Sequence, residues 1–265
     1  MISLFKKKVK RPDAALTMRR LFILREMFVK ALATPPAENI AEWMKRWSEE
    51  DRSQFINKFA VMFAAREEQI RSLGLWLDMS DDERKFLQTG VMETTDQQRI
   101  NASWLAESML CLLWALGRVE ILSGYDKETS HELINAHLGG NVQELVKTAT
   151  LRPPKEIDEQ RDFAELWHWR CRTRKLLESG GIPADLGNGM TMEKVIELSA
   201  AKAAQARAFR APIGNDFPTF GKPFREMDAT EFASVTSISQ ERHKAFNWLC
   251  GYAPGNRWAE TPTDT

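Results

Sequence analysis

The sequence predicts an all-α protein, an irregular multi-helix bundle around a buried central helix near Gln97–Gly117. Three observations predict it. Apolar residues recur at helical spacing almost everywhere along the 265 residues. Helix start and stop signals bracket those stretches. No segment alternates polar and apolar residues between hairpin turns, as a half-buried strand would.

Taken in order, the first helix runs from Asp13 to Ala33. Leu21, Leu24, Phe28 and Leu32 form its apolar stripe, Arg25, Glu26 and Lys30 lie elsewhere, and Pro35-Pro36 stops it. A second helix is expected from about Arg52 to Leu73, closing near Gly74. Ser80-Asp81-Asp82-Glu83 is a capping-box signature for a short helix through Leu87. Thr95-Asp96-Gln97-Gln98 is another, for the helix that ends at Gly117. On that helix Leu105, Met109, Leu112, Leu113 and Leu116 make one stripe, while Trp104, Cys111, Trp114 and Ala115 cover the other side. A helix apolar all round is buried all round.

Short helices follow near His131–Leu138 and Val142–Lys147. Pro153-Pro154 opens a long one from about Lys155 to Glu178, which stops at Gly180-Gly181. An alanine-rich helix is expected near Met192–Phe209, then a Pro-, Gly- and Phe-rich loop from Pro212 to Phe224, whose Phe217, Phe220 and Phe224 either pin it to the core, the favoured reading, or form a contact patch for a partner. The last helix runs from about Ala229 to Cys250, capped by Gly251, and its tail through Trp258 and Asp264 reads as docked. Residues 1–12 are expected to be a flexible basic leader, and 13–265 a single helical domain with a soft boundary near 150.

Composition narrows the function classes. Thirty-seven basic residues balance thirty-seven acidic ones, which leaves no long-range field to gather nucleic acid or anionic membrane. The run Lys6, Lys7, Lys8, Lys10 and Arg11 could touch an anionic surface locally, although such runs are more often solvated. Three scattered cysteines, Cys111, Cys171 and Cys250, suit small core residues in a reducing compartment. The N-terminus lacks the uninterrupted apolar stretch of a signal peptide, and the longest nearly apolar run, Ala102–Leu116, is too short to span a membrane. The expectation is a cytoplasmic protein.

Glu107 is the sharpest local anomaly, the only charged residue between Ala102 and Leu116. A buried carboxylate needs a cationic partner or a raised pKa, so Glu107 is a structural ion-pair member or a general acid/base. His168 sits between Trp167 and Trp169, ahead of Arg170, Arg172 and Arg174, which complement the helix dipole or bind an anion. In the last helix His243 and Asn247 share a face one turn apart, next to Glu241 and Arg242. There is no H-E-x-x-H, cysteine pair, P-loop, dinucleotide fingerprint or G-x-S-x-G, so no metal and no cofactor is expected.

Glu241-Arg242-His243-x-Ala245-x-Asn247-Trp248-Leu249, with Trp258 and Asp264-Thr265 beyond, resembles a widespread, mainly bacterial domain-of-unknown-function family, number 4272. The resemblance extends to Trp104-Leu105-Ala106-Glu107-Ser108, to Leu113-Trp114-Ala115-Leu116-Gly117, and to Leu151-Arg152-Pro153 leading to His168-Trp169. It covers the chain from about Arg19 onward. Members often carry an Arg shortly before the His-Trp pair, where this chain has Leu166-Trp167, and an acid directly after the terminal Trp, where it has Ala259. The resemblance implies an all-α, cytosolic protein and brings no established activity.

Two functions remain in contention. The leading one is a non-catalytic helical interaction or accessory protein, for example an immunity-type factor with a protein partner. In it Glu107, Arg242, His243, Asn247 and Asp264 form a structural polar network. The alternative is a hydrolase on a small or phosphorylated substrate, with Glu107 or Glu241 as base, His168 or His243 as acid and the arginines clamping an anion.

Overall fold

Helix α6 (Leu105–Ala115) has every residue buried, and the rest of the fold is arranged to cover it. The computed structural model describes residues 10–183 and 185–264, so Lys6, Lys7, Lys8 and the terminal Thr265 lie outside the described residues. On one side of α6 lies α1 (Ala14–Ala33), started by the Asp13 carboxylate, which accepts from the Leu16 amide at 2.8 Å. On the other lies α11 (Ala229–Leu249), which packs most extensively on α9 (Pro154–Glu178) and then on α6.

Between α1 and α6 come four helices. α2 (Ala37–Arg46) and α3 (Glu49–Ser72) are joined at Ser48, which forms a capping box with Asp51. α4 (Asp81–Gln88) and α5 (Asp96–Ser103) open on the capping boxes Ser80/Glu83 and Thr95/Gln98. The sequence predicts no helix at 37–46 and one uninterrupted helix to Gly117; both expectations are corrected. The Pro35-Pro36 stop for α1 also starts α2, with Pro36 as its N-cap. The central helix is divided by a tightened turn at Trp104 (φ −71°, ψ −13°), which separates α5 from the fully buried α6.

The short α7 (His131–His137) and α8 (Val142–Lys147) lead into α9, and α10 (Met192–Gln205) precedes the Phe-rich loop. That loop carries a minimal hairpin, β1 (Pro218–Thr219) paired antiparallel with β2 (Lys222–Pro223), the one departure from the all-α expectation among the described residues. Its rings divide: Phe217 and Phe224 are fully buried against Trp167, while Phe220 is 41 % exposed.

One core joins α1, α4, α5, α6, α7, the start of α9 and the end of α11. A smaller one, around Trp167, Ala200, Phe217, Phe224 and Val235, fastens the loop and α10 to α9 and α11. A third, around Ile40, Phe63 and Val91, underlies α2 and α3. The tail returns to the main core. Gly251 (φ +75°) ends α11 in the left-handed region open to glycine, Trp258 packs edge-on against Trp248 at 5.4 Å, and the Trp248 indole donates to the Asn256 carbonyl at 2.8 Å. At the other end Arg11 donates to both Asp158 oxygens, at 2.6 and 2.8 Å, and so is fastened to the N-terminal part of α9. No helix among the described residues is long and apolar enough to cross a membrane.

Candidate functional site

Three helices bring the polar residues together. α6 supplies Glu107 and Ser108, α9 supplies Arg161 and His168, and α11 supplies Glu241, Arg242, His243 and Asn247. On α11 the register divides them, because consecutive positions are about 100° apart on a helix. Glu241, Arg242 and His243 therefore serve three different neighbours.

Arg242 meets Glu107. Its Nε donates to Oε2 at 2.9 Å and its Nη2 approaches the same oxygen at 2.7 Å. The guanidinium also donates to the Ser123 carbonyl at 2.6 Å and to the Ser123 hydroxyl at 2.9 Å, while Glu107 Oε1 accepts from the Thr129 amide at 2.6 Å. Tyr125 lies on the guanidinium, 4.8 Å from ring centroid to Cζ, and stacks on Trp167 behind it at 4.8 Å. The ion pair thus joins α6 to α11 and holds the 123–129 segment against both. Burial raises the Tyr125 phenol above its ordinary pKa, partly offset by Arg242.

Glu241 faces another way. Ser108 donates its hydroxyl to Glu241 Oε2 at 2.6 Å, and among the described residues no arginine lies at ion-pair distance from the carboxylate. Burial raises the Glu241 pKa, with Lys244 and the Ser108 hydroxyl opposing.

His243 closes the third contact. The Asn247 amide is oriented by two partners, since its Oδ1 accepts from Arg161 Nε at 3.0 Å and its Nδ2 donates to the Pro262 carbonyl at 2.8 Å. Its second N–H therefore points at His243 Nε2, 3.0 Å away, which must accept. Neutral His243 then carries its proton on Nδ1 and donates it to His168 Nδ1 at 3.0 Å, which assigns the His168 proton to Nε2. Burial, then Arg172 and Lys175, lower the His168 pKa to about 4. Burial, then His168 and Arg161, lower that of His243 to about 3, and Asp264 opposes them. The chain of bonds fastens the tail, at Pro262, to α9 and α11.

The arginine cluster of α9 does not converge on one point. Arg170 is buried in a bidentate pair with Asp216, at 2.8 and 2.7 Å, and lies over Phe224. Arg174 donates to Glu178 at 2.7 Å and to the Phe224 and Met227 carbonyls, while Arg172 is exposed on another face. No group of three or more metal-ligating side chains is assembled among the described residues.

Several participants escaped the sequence reading. Arg161, Ser123, Thr129 and Asp216 sit in stretches with no distinguishing pattern, except that Asp216 directly precedes Phe217 in a loop whose rings had to be buried. An acid in such a loop must be paired or desolvated, and that was the available signal.

Residues 60–199 match the family described as Domain of unknown function (DUF4272), and the chain belongs to that family. The matched span holds Glu107, Arg161, His168 and Arg170; the α11 partners of the first three and the loop partner of Arg170, Asp216, lie beyond it. No curated protein and no solved structure matches the chain.

Proposed function

We propose that the chain is a non-catalytic helical protein-interaction or accessory protein, working as one helical domain, whose interior charges and imidazoles fix α6, α9, α11 and the tail. The observation that supports this reading is the burial of the polar centre. Glu107 and Arg242 are each 1 % exposed, His243 is 0 % and Asn247 is 3 %, and they spend their donors and acceptors on one another, on the side chains of His168, Arg161 and Ser123, and on nearby backbone. Imidazoles held neutral, with lowered pKa values, serve poorly as general acids near pH 7. Among the described residues, Glu107, Arg242, His168, His243 and Asn247 line none of five surface clefts.

Three buried, unpaired thiols support a reducing, cytoplasmic setting, and burial raises the pKa of each, which keeps them inert. The hydrolase reading needs a carboxylate and an imidazole beside one cleft. Glu241 lines one of these five clefts, but neither His168 nor His243 lines any of them. Thermal unfolding with phosphomonoesters and divalent cations separates the two. The accessory reading expects an unchanged Tm, and a saturable rise with either addition would favour the hydrolase.

A further inference from the structure

A cleft of about 520 Å³ opens between α1, α4, α5 and the middle of α11. Glu241 lines it together with Asp82, Lys85 and Lys244, and Phe86 and Trp104 contribute apolar wall. The charges around this cleft are handled unlike those elsewhere. The interior carboxylates Glu26, Glu83, Glu107 and Asp216 each have an arginine at ion-pair distance. Among the described residues, Asp82, Lys85, Glu241 and Lys244 have no such partner; Lys244 instead lies over the Trp258 ring, 5.4 Å from its centroid.

A half-buried carboxylate whose hydrogen bond comes from the Ser108 hydroxyl, and whose nearest favourable charge is the Lys244 ammonium beyond ion-pair distance, is stabilised further by a cation that enters beside it. Lys85 and Lys244, with no carboxylate at ion-pair distance among the described residues, are likewise open to an incoming anion. The four charges sum to zero, so a ligand with one net charge gains on one side and is opposed on the other, whereas a zwitterion matches both. The volume is that of a small-molecule site, and the apolar wall suits an apolar side chain.

We propose that this cleft binds a free α-amino acid with an apolar side chain, its ammonium on Glu241 and its carboxylate on Lys85 and Lys244. The site lies apart from the ion pairs that fix the helices, so it goes beyond the accessory role and stands or falls separately from it.

Isothermal titration calorimetry of the full chain tests it, with phenylalanine and leucine set against their decarboxylated and deaminated counterparts (2-phenylethylamine and 3-phenylpropanoate for phenylalanine). At least one amino acid should bind saturably, and both of its counterparts should bind more weakly by roughly tenfold or more, the worth of a lost charge-assisted hydrogen bond. Glu241→Gln keeps an acceptor for Ser108 and should weaken amino-acid binding by a similar factor. Lys85→Ala, at the rim and free of structural bonds, should do the same even if the Gln variant fails to fold. No binding by any compound, equal affinity for an amino acid and its counterparts, or undiminished binding in Lys85→Ala would overturn the proposal.

Discussion

His243 and His168 meet nitrogen to nitrogen, Nδ1 to Nδ1 at 3.0 Å, an arrangement that exists only while at least one ring is neutral. Protonating His168 places two N–H groups face to face. Protonating His243 sets a second N–H against the Asn247 amide. Both pKa values lie below the ordinary 6.5, at about 4 and about 3, so the unfolded chain binds protons that the folded one refuses. Stability is then fully present above pH 6.5 and falls as pH drops toward 4, by on the order of 2 kcal/mol for each ring at pH 5. Glu241, whose pKa is raised, works in the opposite direction and offsets part of the loss. Urea denaturation at pH 7.5 and pH 5 measures the net change, and an equal midpoint at both would contradict the neutral-pair assignment.

Asp216 compensates Arg170 in the interior and also accepts from the Phe217 amide at 2.8 Å and the Arg225 amide at 3.2 Å. Asp216→Asn leaves a buried guanidinium without a counter-charge, at a cost of about 3–5 kcal/mol. Hydrogen exchange should show the lost protection first around Phe217 and Arg225, before α6 is affected.

Lys30 is a buried ammonium whose three donors meet the carbonyls of Phe86 at 2.6 Å, Leu87 at 2.9 Å and Thr89, capping the C-terminal end of α4. Phe63 and Phe86 flank it at 4.2 and 5.2 Å from their centroids. Lys30→Met keeps the bulk and removes every donor, so chemical denaturation should show a loss of roughly 2–4 kcal/mol. A change under 0.5 kcal/mol, the ordinary range for a surface site, would show that the carbonyls find other partners.

Trp258 anchors the tail on Trp248 and beneath Lys244. Trp258→Ala should cost about 3–5 kcal/mol in an equilibrium denaturation, the range for a truncated core tryptophan. If the tail were loosely attached, the loss would stay below 1 kcal/mol.

The fold was legible where local signals agree. Capping boxes at Ser80 and Thr95 and the continuous apolar surface around Leu105–Leu116 identify α4, α5 and α6, because capping and burial act within a few residues. Residues 37–46 are ambiguous in the sequence since a Pro-Pro pair both ends and begins helices, although Ile40, Trp43, Met44 and Trp47 carry helical spacing. The Trp104 turn has no local signature. In the candidate site, an isolated acid in an apolar run marks Glu107 for an interior partner, but Arg242 lies 135 residues away and tertiary packing alone selects it. The His168–His243 contact, 75 residues apart, depends likewise on how α9 crosses α11.

The central claim is that ionisable groups set among apolar helices hold the architecture together. A double-mutant cycle on Glu107→Leu and Arg242→Met tests it most directly. Each single change should cost about 3–5 kcal/mol by stranding its partner, and the pair together should cost less than the sum by roughly 2–3 kcal/mol. Strictly additive effects, or single losses within 0.5 kcal/mol of zero, would contradict it.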